Sequence, residues 1–305
     1  MSDPKVLGSL NERFAIAGVL RFEAGSGGLI RAAVGGRGAE GHVYLHGAHV
    51  THYRAAGQRP VLFLSERSRF ATGKGIRGGV PVIFPWFGAR AGHSEAPDHG
   101  FARTREWAVE SVDPASDGSV AVTLALEADD ATRRTWPHEF KIRHRVVFAE
   151  RLAMTLEVEN RSGRPFDFEE ALHAYLLVGD VGQVSIDGLG GGVYIDKTDG
   201  MKRKALAAGL LRLNGTTDRV FLNTRAACTV TDLVLLRRIV VEKMGSATTV
   251  VWNPWFEKAR TMADLGSNQW RSMLCVEAAN AADNTVHLGA GERHTMHVVI
   301  GAEAV

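Results

Sequence analysis

Glu277 sits in Met273-Leu274-Cys275-Val276-Glu277-Ala278-Ala279, a carboxylate set among apolar residues. Such a group is rarely buried without a partner or a task. Burial tunes a glutamate upward, toward the range in which it can exchange protons near neutral pH. His173, within Glu169-Glu170-Ala171-Leu172-His173-Ala174-Tyr175, carries the other side chain that titrates there. Taken alone, a hydrogen-bonded strand histidine accounts for His173 better than a catalyst does, and Glu277 reads equally well either way. Together, imidazole and carboxylate could remove one proton and deliver another. They lie far apart in sequence, so only a fold that joins two strands makes them a pair.

Arg77 is the next candidate, in Gly73-Lys74-Gly75-Ile76-Arg77-Gly78-Gly79-Val80-Pro81-Val82-Ile83-Phe84-Pro85-Trp86-Phe87-Gly88. The glycines let backbone and ligand approach closely, and a guanidinium is a natural bidentate partner for phosphate. The alternative is an arginine that pins the loop by bonding carbonyls. The stretch spells G-x-G-x-x-G, but Pro81 and Pro85 forbid the helix that a dinucleotide site requires. Gly188 to Gly192 fails the same way, since strand-like Val193-Tyr194-Ile195 follows it. Arg103 could face a ligand, or pair with Asp98 or Glu106 at the surface. Asp218, in Thr216-Thr217-Asp218-Arg219, could be only a turn former. The aromatics Phe84, Trp86, Phe87, Trp252 and Trp255 are read first as packing, and only second as a platform for a sugar ring.

Twelve histidines are present, and His42, His46, His49 and His52 crowd one segment. On an alternating strand His42 and His46 would share a face, yet nothing marks a third ligand, so no metal is expected. Thirty-six Lys plus Arg against 34 Asp plus Glu give a net charge of +2, with no charged run of the kind that engages nucleic acid. Cys228 and Cys275 are the two cysteines, which offers no disulfide framework and fits a reducing compartment. Charges or glycines break every apolar run before it reaches signal-peptide or membrane-spanning length, so the expectation is a cytoplasmic protein, taken as a monomer.

The elements that must position these residues read as strands. Alternating or β-branched runs appear at Leu29 to Val34, His42 to Tyr53, Val61 to Leu64, Val120 to Leu126, Phe140 to Phe148, Leu152 to Val158, Phe166 to Leu177, Thr229 to Val241, Thr248 to Trp252 and His294 to Ile300. Turn-rich pieces such as Asn160-Arg161-Ser162-Gly163-Arg164-Pro165 separate them. The expected fold is all-β: large twisted sheets stacked face to face, in one domain over residues 1–305. Short helices are expected at Ser65 to Phe70 and Phe256 to Asp264.

In order along the chain, IRGGVPVIFPWFG, Pro97-Asp98-His99-Gly100-Phe101-Ala102-Arg103, Ala171-Leu172-His173-Ala174-Tyr175, Thr217-Asp218-Arg219-Val220, Val251-Trp252-Asn253-Pro254-Trp255 and Cys275-Val276-Glu277 resemble the glucose-6-phosphate 1-epimerases of the aldose 1-epimerase superfamily. The resemblance spans roughly residues 20 to 300. It implies a galactose-mutarotase-like β-supersandwich with no metal or organic cofactor. It also implies His173 and Glu277 as the catalytic pair, with Arg77, Asp98, His99, Arg103 and Asp218 as contacts to a sugar phosphate. The activity implied is interconversion of the α and β anomers of an aldohexose 6-phosphate, glucose 6-phosphate first. A mutarotase of unphosphorylated aldoses and a sugar-binding sandwich without turnover are the alternatives. Asp98 departs from the family, which has Gln there. If it lies beside Arg77 and Arg103, it is expected to pair with them and lower the positive charge offered to phosphate.

Overall fold

A computed structural model describes residues 3–36 and 38–305. Its frame is two eight-stranded sheets. One runs in the order Val184–Asp187, Cys228–Asp232, Arg237–Met244, Arg293–Ala304, Leu152–Asn160, Phe140–Phe148, Val120–Glu127, Ala108–Pro114. Leu152–Asn160 shows why these segments become strands: buried and half-buried residues alternate along its whole length, matching a period of two with one apolar face. The other sheet runs Lys202–Ala205, Val193–Asp196, Thr217–Leu222, Thr248–Asn253, Met273–Asn280, Glu170–Leu172, Val82–Ile83, with Tyr175–Leu177 also paired to Met273–Asn280. A four-stranded meander from Leu20–Ala24 to His49–Ala55 and a ribbon of Phe166–Phe168 with Val286–Leu288 complete the β-sandwich. Residues of both large sheets, including Ile142, Leu156, Val298, Phe221, Val251 and Val276, meet in one buried apolar cluster.

Several expected runs are divided. His42 to Tyr53 is two strands, because Gly47 and Ala48 adopt positive φ (74° and 46°) and reverse the chain between them. Thr229 to Val241 breaks in the same way: the buried Asp232 carboxylate accepts from the amides of Gly179, Val234 and Leu235 and holds the turn. Phe166 to Leu177 becomes three short strands. The helix expected over Ser65 to Phe70 is not formed. Ser65 instead donates its hydroxyl to Asp264 O and Gln269 Oε1, and a turn at Glu66 and Arg67 follows. The second expected helix is shorter, Trp255–Ala259. Two helices were not anticipated. Pro4–Phe14 starts at Asp3, whose carboxylate accepts from Lys5 N, and Asp130–Thr135 starts at Asp129, which exchanges hydrogen bonds with Thr132 in a capping box.

Candidate active site

Met273–Asn280 lies at the centre of the second sheet, flanked by Thr248–Asn253 and by the segments on either side of His173. Glu277 is in register with Val250, Cys275 with Trp252 on one side and Tyr175 on the other, and Asp218 with Trp252. Alternation therefore turns Glu277, Cys275, Val250, Trp252 and Asp218 to one face, while Val276 and Ala278 enter the core cluster. The glycine-rich stretch docks beside them: Tyr175 N donates to Gly79 O (2.8 Å) and His173 N to Pro81 O (3.0 Å). Gly79 has φ 62°, and a Cβ there would stand 2.2 Å from Val50 O, so only glycine lets the segment pass.

His173 Nε2 lies 3.3 Å from Glu277 Oε1, with 7 % and 1 % of the two residues exposed. The imidazole stacks on Tyr175, with centroids 4.7 Å apart and planes inclined by 5°. Burial drives the Glu277 carboxyl well above the usual range, Asp218 adds to this, and Lys197 opposes it. Burial drives His173 well below its usual value, reinforced by His99, Arg103 and Arg77. Both directions favour an uncharged pair, which holds one proton between its two members.

The cleft above this pair has a volume of about 480 Å³. Every residue expected at the site lines it: Arg77, Asp98, His99, Arg103, His173, Asp218 and Glu277. Arg77 does not pin its own loop. Its Nε and Nη2 donate to Asp264 Oδ2 (3.1 and 3.0 Å), and Nη1 donates to Tyr175 Oη (2.8 Å). Arg103 lies alongside, since a Cβ on Gly75 would stand 3.6 Å from its Cζ. The expected pairing of Asp98 with these cations is not formed. Arg103 Nη2 donates to the main-chain carbonyl of Asp98 (2.7 Å), while the carboxylate beside Arg77 belongs to Asp264. Asp98 lies in the turn that leads into His99, and it is its carbonyl, not its side chain, that meets the guanidinium.

His99 and Gly100 both have positive φ (65° and 69°), a tight reversal that sends the His99 ring into the cleft. Gly88 N donates to His99 Nδ1 (3.2 Å), so the neutral ring carries its proton on Nε2. Burial, then Arg103 and Lys197, lower its pKa to about 3, which keeps it neutral. Asp218 is raised by burial, against the pull of Lys197 at 3.7 Å and of Lys258.

Lys197, Lys258, Tyr175 and Asp264 were not singled out as site residues from sequence, whereas Phe87 and Trp252, read first as packing, also line the cleft. Tyr175 could have been, because it stands two positions from His173 on the same strand pattern. Lys197 begins a turn after a strand and Lys258 sits on a short helix, and neither carries a local signal. Among the described residues, neither Arg103 nor Lys258 forms an ion pair, which leaves the cleft with cationic capacity.

The crowded histidines serve elsewhere. His46 and His49 bond the carbonyls of Lys74 and Gly78 (both 2.7 Å), while His42 and His52 face each other across two strands. The last two line a groove of about 520 Å³ with Arg31 and Glu23, which are already paired at 2.6 Å. That groove is of similar size to the cleft, but among the described residues neither of its imidazoles pairs with a carboxylate.

The chain matches the family described as aldose 1-epimerase over residues 33–301. It belongs to the aldose 1-epimerase family. An Escherichia coli K12 protein provisionally named glucose-6-phosphate 1-epimerase is 37 % identical over 239 residues, covering 78 % of this chain and 79 % of the relative. A Cenchrus ciliaris protein with the same provisional name is 32 % identical over 276 residues, covering 88 % and 83 %. A crystal structure of a Salmonella typhimurium protein, provisionally described as a mutarotase, superposes with a TM-score of 0.89 at 30 % identity, over 98 % of this chain and all of that one. This aldose 1-epimerase family member is thus a sugar epimerase on a mutarotase-type β-sandwich, with its buried carboxylate and imidazole in the cleft.

Proposed function

We propose that the protein interconverts the α and β anomers of an aldohexose 6-phosphate, with glucose 6-phosphate as the first candidate. The observation that carries this is the buried His173–Glu277 pair facing a cleft that also holds four cationic side chains. Glu277 is the general base and His173 the general acid. In the acting form the shared proton is on His173, and Glu277 is a carboxylate held by sugar hydroxyls and by Lys197. Glu277 takes the proton of O1 as the bond from C1 to the ring oxygen breaks, and His173 gives its proton to that oxygen. Rotation about C1–C2 presents the other face of the aldehyde, and the two transfers run backward to close the ring. No proton is gained or lost over the cycle, so one pair serves both directions.

Arg77, Arg103 and His99 are assigned to the phosphate and hydroxyls, and Asp98 and Asp218 accept from sugar hydroxyls. Lys258 joins this set as an unpaired cation at the mouth. Such a site needs neither a metal nor an organic cofactor. We further place the protein in the cytoplasm as a monomer acting on a small molecule, away from nucleic acid and membranes. Two buried free cysteines and a charge of +2 support this. Sedimentation at any mass other than one chain's would overturn the monomer.

Polarimetry or time-resolved NMR on freshly dissolved α-glucose 6-phosphate tests the activity. Enzyme should bring the anomers to equilibrium faster than the spontaneous rate, and should act on free glucose far more weakly. No acceleration would remove the catalytic reading; equal acceleration of both sugars would remove the phosphate.

A further inference from the structure

Cys275 has no part in the proton transfers, yet it occupies a defined place among the groups that do. It lies two residues before Glu277 on the same strand, turned to the same face, and it is fully buried. Its sulfur, one carboxylate oxygen of Glu277 and one ring nitrogen of His173 all lie within 4.8 Å of one another. We propose that these three side chains form a site for a thiophilic divalent cation, zinc above all, and that its occupation switches the epimerase off.

Donor types, geometry and charge agree. Thiolate, imidazole and carboxylate are the three donors zinc takes most readily. A tetrahedron with metal–ligand bonds of about 2.0 Å has edges of about 3.3 Å. The His173 Nε2 to Glu277 Oε1 distance of 3.3 Å already spans such an edge. The sulfur needs only a side-chain adjustment on the order of 1 Å, and the longer bond to sulfur allows for part of it. Glu277 Oε2 meets no protein partner among the described residues, so the carboxylate is free to turn toward a metal. One thiolate and one carboxylate neutralise Zn²⁺, and a neutral complex suits a buried floor beneath four cationic side chains. His173 and Glu277 line the cleft whereas Cys275 lies below them, so the fourth position opens on the sugar site.

The proton balance gives the consequence. Zn²⁺ displaces the thiol proton of Cys275 and the proton shared by Glu277 and His173, releasing two protons and leaving His173 neutral and ligated. Neither a free base nor a proton for the ring oxygen then remains. Zinc should therefore compete with the sugar and abolish turnover.

The test uses the whole protein, stripped with a chelator and titrated with Co²⁺ and then Zn²⁺. The expected result is one cobalt per chain with a thiolate-to-metal charge-transfer band, displaced by zinc, and inhibition that follows occupancy. Cys275→Ser should keep its anomerisation rate in chelator, lose the band and weaken zinc inhibition on the order of 10²-fold. In the wild-type protein, zinc should also slow alkylation of Cys275 while leaving that of Cys228 unchanged, a readout that needs no variant. Absence of the thiolate band, equal zinc sensitivity in Cys275→Ser, or activation by zinc would each overturn the proposal. The metal readouts do not depend on turnover, so their failure is separable from failure of the acid–base reading.

Discussion

Replacing Glu277 with Gln, or His173 with Asn, keeps volume and polarity but removes a group that can hold the travelling proton. Each change should slow anomerisation on the order of 10²-fold or more, with the urea midpoint little changed. A folded variant with full activity would take that residue out of the mechanism. The cations divide by partner. Arg77 is held by Asp264 and Tyr175, so Arg77→Ala disturbs the cleft wall as well as the phosphate, whereas Lys258→Ala removes an unpaired charge. Lys258→Ala should weaken glucose 6-phosphate by roughly 1–2 kcal/mol and leave free glucose unchanged, read as dissociation constants for both sugars. Because Asp264, not Asp98, faces Arg77, Asp264→Asn should tighten the phosphorylated sugar and steepen its salt dependence more than Asp98→Asn does. Weaker binding of both sugars in Asp264→Asn would show instead that this carboxylate mainly holds Arg77 in place.

Short connecting segments, more than the long strands, decide where the site residues point. His99 and Gly100 turn through positive φ, and a Cβ on Gly100 would stand 1.9 Å from Phe84 O. Gly100→Ala should therefore lower thermal stability and displace the His99 ring together, which thermal melts and KM would report; an unchanged KM would separate the turn from the cleft. The long strands were legible because burial on one face writes a period of two, as at Phe140–Phe148. Glu277 stood out for a related reason, as a carboxylate where the pattern called for an apolar side chain. Met273–Asn280 itself is buried at every position and shows no alternation, so its strand was not read. Lys197 and Asp264 were illegible because turns place them, and Lys258 because a five-residue helix does, and the position of such short segments comes from partners far along the chain. The Asp98 expectation failed for the same reason: which carboxylate meets Arg77 is a tertiary fact.

Across the molecule, buried histidines set the response to acid. His49 and His144 are fully buried, and burial lowers them to about 3 and about 4. An unfolded chain binds these protons near pH 6.5, so the stability they confer is present above that pH and is lost as pH falls toward the folded values. Each contributes a slope of about 1.4 kcal/mol per pH unit in that window. His99 and His173 act in the same direction, while His294, lowered by burial but raised on balance by Glu170, opposes them. Urea midpoints should fall steeply between pH 6.5 and 4.5, and less steeply in His144→Gln; a flat profile would contradict the burial account. The order of the second sheet has a further consequence, in time. Val82–Ile83, Glu170–Leu172 and Met273–Asn280 are neighbours there though far apart along the chain. Closing such long loops is entropically costly before any contact rewards it, so folding is governed by distant pairings and is slow. A chain still being synthesised has His173 long before it has Glu277. Turnover thus reports completion of the whole fold, and in a refolding experiment anomerisation should return with the last kinetic phase, never ahead of it.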